Sequence, residues 1–239
     1  MIVPCLNEAE NLPSLLSRLA TYSASAGILE TIIVNDSSDD GTAAVAQTMA
    51  GKYPELNIHV ITRPRPRRGY GAVVRFGIEQ AIGRYCTFVA ADGVDPIQLL
   101  PEYVHHLRAG AQLVQCSRYA NPDDSQTIPL TYKFYQTLFH TFERIALGRK
   151  ILDSTYAFKA FDKELVTKLR VTSNGFSISP EIVFKIALSG GKIVTIPGSQ
   201  GVRKLGVSKF KFRREGYGFL KVLVRAWLHR LGVSWFTRN

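Results

Sequence analysis

Short apolar runs alternate with amphipathic stretches through the first half of this 239-residue chain. MIVPC opens it, TIIVN follows at 31–35 and NIHVIT at 57–62, each short and rich in β-branched residues, which predicts buried strands. RYCTFVA at 84–90 and AQLVQCSRY at 111–119 continue the series. Between these runs the period lengthens. Leu12, Leu15, Leu16 and Leu19 recur at helical spacing, DGTAAVAQTMAGKY reads as a second helix, and two more are predicted over 72–82 and 96–107. Strands that are apolar throughout and alternate with helices predict an α/β fold, a mostly parallel sheet covered on both faces.

After Tyr119 the rhythm changes. A polar loop, NPDDSQTIP, leads into LTYKFYQTLFHTFERIALG, an aromatic-rich helix over 130–148. STYAFKAF reads as a strand, a helix follows near 181–188, and KIVTIP is the last strand. GVRKLGVSKFKFRR at 201–214 is a basic loop, and EGYGFLKVLVRAWLHRLGVSWF is helical but studded with charge. These stretches divide the chain into one α/β domain over 1–212 and a basic amphipathic helix over 213–239.

Composition narrows the partners. With 46% hydrophobic and 21% charged residues the chain is globular, and 30 Lys and Arg against 19 Asp and Glu leave a net charge of +11. That excess favours anionic partners: nucleic acid, acidic lipid or phosphorylated substrates. No nucleic-acid-binding motif or base-stacking platform is visible, which argues against the first. Cys5, Cys86 and Cys116 are odd in number and lack metal-ligand spacing, so they read as buried thiols of a reducing compartment. The N-terminus lacks the pattern of a signal peptide, and no apolar run reaches the roughly 18 residues of a membrane span.

In open α/β sheets ligands sit beyond the carboxyl ends of the strands, which directs attention to PCLNE, NDSSDDGT, RPRPRRGYG, AADGVDP and CSRY. Two readings stand at each. Asp36 can accept hydrogen bonds from a nucleobase or cap the next helix, and both hold if Asp39 or Asp40 takes the capping role. Gly69-Tyr70-Gly71, behind Arg63, Arg65, Arg67 and Arg68, can bring N–H groups and cations to a phosphate or form a solvated basic loop; it matches neither the P-loop nor the dinucleotide fingerprint. Asp92 can coordinate Mg²⁺ or Mn²⁺ bridging a diphosphate, or belong to an Asp-Gly turn ahead of Asp95-Pro96. The basic loop either closes over phosphates or is merely solvated.

Taken in order, these segments resemble family 2 glycosyltransferases of the GT-A fold, most closely the dolichol-phosphate mannose synthase-like, polyprenyl-phosphate branch. VPCLNEAENL looks like P-x-x-N-E-x-x-N-L, IIVNDSSDDGT like I-I-V-D-D-G-S-x-D-G-T, and AADGVDP sits at the D-A-D-x-x-x-P position. RRGYGAVVRFGIEQAIGRY resembles the basic G-x-G-x-A helix start, CSRY the G-S-R-Y stretch, LDSTYAFKAF the D-x-T-x-G-F-R stretch, and GVRKLGVSKF the R-x-x-G-x-S-K loop. The resemblance spans about residues 2 to 212.

By position it implies a nucleotide-sugar site lined by Pro4, Leu6, Glu8, Asp36, Gly69, Gly71, Ala91 and Asp92. Arg118, Lys159, Arg203, Ser208 and Lys209 would address donor or acceptor phosphates, and Asp92, Arg118, Asp153 and Arg203 would carry catalysis. The implied activity is inverting transfer of a hexose from a GDP- or UDP-sugar, GDP-mannose among them, to a polyprenyl or dolichyl phosphate at the cytoplasmic face of a membrane. An ionised lipid phosphate needs positioning and charge stabilisation more than a strong base. Departures are informative: Ala90 stands where the family has its first metal-site Asp, Val94 replaces a polar residue, Asn35 an acid, Ser37 a glycine and Lys159 an arginine. A Mg²⁺ or Mn²⁺ site would then rest on Asp92 alone, with Asp95 as a substitute ligand and weaker binding. Two other readings stay open: an acceptor hydroxyl, with a general base such as Asp153, and a catalytically silent nucleotide-sugar binder. The C-terminal helix, with Trp227 and basic residues, suits a membrane surface, a core contact or an oligomer contact.

Overall fold

A computed structural model describes residues 1–64, 69–121, 125–126, 128, 130–203, 205–206, 212–233 and 236–237, without the side chains of 212–214. Strands β1 (Ile2–Cys5), β2 (Thr31–Asn35) and β3 (Ile58–Thr62) pair in parallel, as their β-branched runs predict. The chain just beyond β4 (Tyr85–Thr87) joins them through a parallel bridge between Ile2 and Phe88 and a bond from Val89 N–H to the Ile2 carbonyl. On the other side β4 pairs with β6 (Lys159–Asp162), β6 with β5 (Leu113–Ser117), and β5 with β7 (Ile193–Pro197). The order across the sheet is 3-2-1-4-6-5-7, with β6 alone antiparallel.

Neighbouring strand residues feed opposite layers. Ile2, Ile32, Leu113 and Phe161 join one cluster with α3 (Tyr70–Gln80), α7 (Ile178–Leu188) and α8 (Phe212–Arg230). Val3, Ile33, Val114 and Ala160 join the other with α1 (Leu12–Ala26), α2 (Thr42–Lys52) and α4 (Leu100–Arg108). Gly77 lets α3 lie close on β1, since a Cβ there would meet Ile2 Cγ2 at 2.5 Å. All three cysteines are buried thiols outside any disulfide.

One predicted element differs and one helix was not predicted. The strand expected over 154–161 begins only at Lys159, because Asp153 takes a left-handed conformation (φ 57°) and starts a turn closed by Tyr156 N–H on its carbonyl. Behind β6 lies a short helix, α6 (Lys163–Lys168), capped by the Asp162 side chain on Leu165 N–H, which the apolar pattern does not signal. The aromatic helix is present as α5 (Leu130–Leu147). No helix among the described residues is long and apolar enough to cross a membrane.

Candidate active site

Six strands run in one direction and end at one edge of the sheet; β6 runs the other way, so the residues before it arrive at the same edge. The segments after β1, β2, β3, β4, β5 and β7 and the turn at Asp153 therefore meet.

At one end Asn7, itself left-handed, donates its N–H to Ser38 Oγ at 3.0 Å and accepts from Asp39 N–H. Asp40 accepts from Thr42 N–H at 3.0 Å and from Ala9 N–H, tying the start of α2 to the segment after β1. Asp40, one residue ahead of the N-cap Gly41, thus accepts the first amide of α2, a task Asp36 does not share. Asp36 is buried, and one of its oxygens accepts from Arg63 Nε at 2.8 Å and from a terminal nitrogen at 2.6 Å. Pro4 and Leu6 lie half-buried beside it.

Gly69 and Gly71 serve a different purpose from the one expected. Gly71 donates its N–H to the Asn174 carbonyl at 2.8 Å, so this amide is not offered to a phosphate. A Cβ on Gly69 would meet that same oxygen at 2.7 Å, and one on Gly71 the Gly175 carbonyl at 2.8 Å. The glycines permit two backbones to touch. Arg65, Arg67, Arg68, Ser208 and Lys209 lie outside the described residues.

In the middle, AADGVDP is both a turn and a charged wall. Gly93 is left-handed and donates to the Ala90 carbonyl, while Gly201 N–H, from the segment after β7, donates to the Val94 carbonyl at 2.8 Å. That contact brings Arg203 across the cleft. Its guanidinium donates to Asp92 at 3.1 Å and to both Glu8 oxygens at 2.9 and 3.0 Å. Ala91 is buried beneath.

At the far end Arg118 makes a two-toothed pair with Asp153, at 2.7 and 2.8 Å, and its backbone N–H donates to the same carboxylate at 3.0 Å. Its remaining terminal nitrogen reaches Gln200 at 2.9 Å, and the guanidinium lies 4.5 Å from the centre of the Tyr156 ring. Burial acts to raise the Asp153 carboxyl, but Arg118 outweighs it and holds the group below its ordinary value. Fully enclosed, acidic and bonded to a permanent cation, Asp153 is a poor general base. It positions Arg118.

Lys159 does not face the cleft. It is wholly buried, donating to the carbonyls of Ser154 at 2.8 Å and Ser179 at 3.2 Å, and burial pushes its amine down to about 7. Lying within β6, it points into the protein and braces the turn at Asp153 against α7. Thr155 is the threonine of the D-x-T stretch, whereas Tyr156, Gln200 and Gln136 are neighbours of the Arg118 pair that motif matching misses.

The residues present do not suit a divalent ion held by protein carboxylates. Ala90 offers only backbone, and its N–H donates to Asp95 at 2.6 Å. Asp95 is buried, its other oxygen accepts from the Tyr156 hydroxyl at 2.8 Å, and burial raises its carboxyl to about 6. It is a brace under the turn rather than a substitute ligand. Asp92 is left as a lone acid already paired with Arg203, and no three His, Cys, Asp or Glu side chains converge on a cation position among the described residues.

Comparison with known proteins agrees with this architecture. The family described as Glycosyl transferase family 2 matches residues 1–170. The dolichol-phosphate mannosyltransferase of Pyrococcus furiosus is 33% identical over 214 residues, covering 88% of this chain and 58% of that protein, so the chain spans little more than half of that relative's length. The polyprenol monophosphomannose synthase of Mycolicibacterium smegmatis is 30% identical over 215 residues, covering 87% and 79%. Among solved structures, glucosyl-3-phosphoglycerate synthase from Mycobacterium tuberculosis, crystallised with Mn²⁺, UDP and glucosyl-3-phosphoglycerate, superposes with a TM-score of 0.65 at 19% identity over 98% of this chain and 79% of that one. With its 3-2-1-4-6-5-7 sheet, its cleft at the strand ends and a family match over more than two thirds of its length, the chain belongs to glycosyl transferase family 2 and has the GT-A fold.

Proposed function

We propose that this protein is an inverting glycosyltransferase moving a hexose, most simply mannose, from a GDP- or UDP-linked donor to a polyprenyl phosphate. The observation that carries this reading is the pair of guanidiniums, Arg203 in the middle of one cleft and Arg118 at its far end, each held by carboxylates, in a member of family 2. The relatives' names, dolichol-phosphate mannosyltransferase and polyprenol monophosphomannose synthase, support the acceptor class.

In this reading Glu8 and Asp36 take the nucleoside end and Arg203 turns from Asp92 toward the donor diphosphate. Arg118, fixed by Asp153, meets the acceptor phosphate. An acceptor oxygen attacks the anomeric carbon from the face opposite the diphosphate; the new carbon–oxygen bond forms as the bond to the nucleoside diphosphate breaks. The acceptor oxygen is already anionic, so no proton need be removed, consistent with an Asp153 unsuited to remove one. Mg²⁺ or Mn²⁺ enters only as an ion brought with the donor. The basic C-terminal helix would keep the enzyme peripheral on the cytoplasmic face of a membrane.

The test is a calorimetric titration with GDP and UDP alongside transfer assays using a panel of nucleotide sugars. Binding of one nucleotide, with label passing to a polyprenyl phosphate, is expected. Binding without transfer to any acceptor would favour a silent binder.

A further inference from the structure

One guanidinium sits between the acids in the middle of the cleft. Arg203 Nε donates to the Leu205 carbonyl at 2.8 Å, one terminal nitrogen to Asp92 at 3.1 Å, and the other to both Glu8 oxygens at 2.9 and 3.0 Å. All three nitrogens are turned to oxygen, and the oxygens come from the segments after β1, β4 and β7. Oxygens converging from separate segments are what a bound cation ordinarily requires, and here they surround a side chain.

The surroundings hold that charge in place. Gly201 N–H, donating to the Val94 carbonyl at 2.8 Å, ties the loop that carries Arg203 to the turn that carries Asp92. Gly206 is left-handed (φ 73°), and a Cβ there would lie 3.0 Å from an Arg203 terminal nitrogen, so glycine lets the loop fold back closely around the guanidinium. Asn11 fixes the second acid, its Nδ2 donating to Glu8 at 2.6 Å. The Arg203 side chain is only 18% exposed, which shields these contacts from screening.

A divalent ion finds no comparable seat beside them. Ala90 brings a methyl group and an N–H already given to Asp95, and the other Asp95 oxygen is taken by the Tyr156 hydroxyl. Glu8 and Asp92 remain, and an ion between them would have to displace Arg203 or lie against it, charge to like charge. A guanidinium binds phosphate through parallel N–H bonds and is weakly hydrated, whereas Mg²⁺ gives up its water reluctantly.

We propose that Arg203 takes the place of the divalent ion, so that the protein binds and releases the diphosphate of its donor without a metal. The proposal rests on the donor reading given above and names the cation that serves it; an ion carried in with the donor is then dispensable. As the bond between the anomeric carbon and the diphosphate oxygen breaks, its electron pair stays on that oxygen. Arg203, turned from Asp92, stabilises the charge, while the anionic acceptor oxygen forms the new bond and no proton moves.

The test is calorimetric titration of the full chain with GDP and with UDP, in Mn²⁺ and again in EDTA. Wild-type affinity for whichever nucleotide binds should agree within about threefold between the two media. Arg203→Gln should lose about tenfold or more in both, and an Ala90→Asp, Arg203→Gln double variant should regain at least about tenfold on addition of Mn²⁺, as a pair of acids replaces the guanidinium. Wild-type binding that falls by about tenfold or more in EDTA overturns the proposal and leaves the donor reading standing. Undiminished binding by Arg203→Gln, or a double variant indifferent to Mn²⁺, overturns it in the same way. Binding of neither nucleotide in either medium overturns the donor reading and the proposal with it.

Discussion

Replacing Asp153 with Asn probes the feature on which the Arg118 site depends. The carboxylate is wholly buried and receives three hydrogen bonds from Arg118, two from the side chain and one from the backbone, and a fourth from Thr155. Asn retains one acceptor oxygen and turns an N–H₂ group toward a guanidinium that is itself only 16% exposed. Removing one partner of a buried pair costs about 3–5 kcal/mol. For a chain of this size that corresponds to a fall of roughly 6–20 °C in melting temperature. Because the folded Asp153 carboxyl lies below its ordinary value, its contribution is fully present above the unfolded carboxylate range, near pH ~4, and fades as pH falls through the lower folded value. Urea denaturation of wild type and variant between about pH 3 and pH 8 reads both effects. Transfer should fall by at least about a hundredfold with nucleotide binding retained, since a misplaced positioning cation acts mainly on the reaction. A loss under about 1 kcal/mol, or full activity in the variant, would refute the claim that Asp153 holds Arg118.

Asp95 should behave with the opposite sign. Its carboxyl, raised to about 6 by burial, holds in the folded state a proton that the unfolded chain releases above pH ~4, so its contribution declines from about pH 4 to about pH 6. Relative to wild type, Asp95→Asn should gain up to roughly 3 kcal/mol across that window in urea titrations; a difference flat with pH would contradict the burial argument. Ala90→Asp places a second acid beside Asp92 and should tighten Mn²⁺ binding at least about tenfold, read by paramagnetic resonance of the free ion; unchanged affinity would mean that Ala90 does not border the diphosphate position. Arg203→Ala should weaken nucleoside-diphosphate binding about tenfold or more, since a charge-assisted bond contributes about 1.5–3 kcal/mol; undiminished binding would leave Arg203 only its role toward Glu8 and Asp92.

The parallel strands and the position of the cleft were legible because buried strands write an uninterrupted apolar run and ligands gather at strand ends. Asp36, Asp92 and Arg118 follow from that rule, Arg203 follows from the resemblance of its loop, and the structure brings the four to one edge. Lys159 was misread because motif alignment conveys position but not the direction in which a strand residue points; within β6 it faces the interior. Gly69 and Gly71 look like a phosphate loop, yet their lack of side chains serves a contact with 173–175 that no local pattern reveals. Tyr156 and Asp95, 61 residues apart, meet through the antiparallel pairing of β4 and β6. The orientation of α5 was not legible: the bonds of Gln136 and His140 and the packing of Phe139 on Phe184 and Phe219 show which side faces inward.

The central claim is transfer to a lipid phosphate, and the most direct test is incubation of the protein with radiolabelled GDP-mannose and, separately, a UDP-hexose, with a short polyprenyl phosphate or the matching polyprenol in anionic vesicles. The account predicts label extracted into the organic phase with the phosphate and none with the alcohol. Label on the alcohol, or on neither although the nucleotide binds, would contradict it.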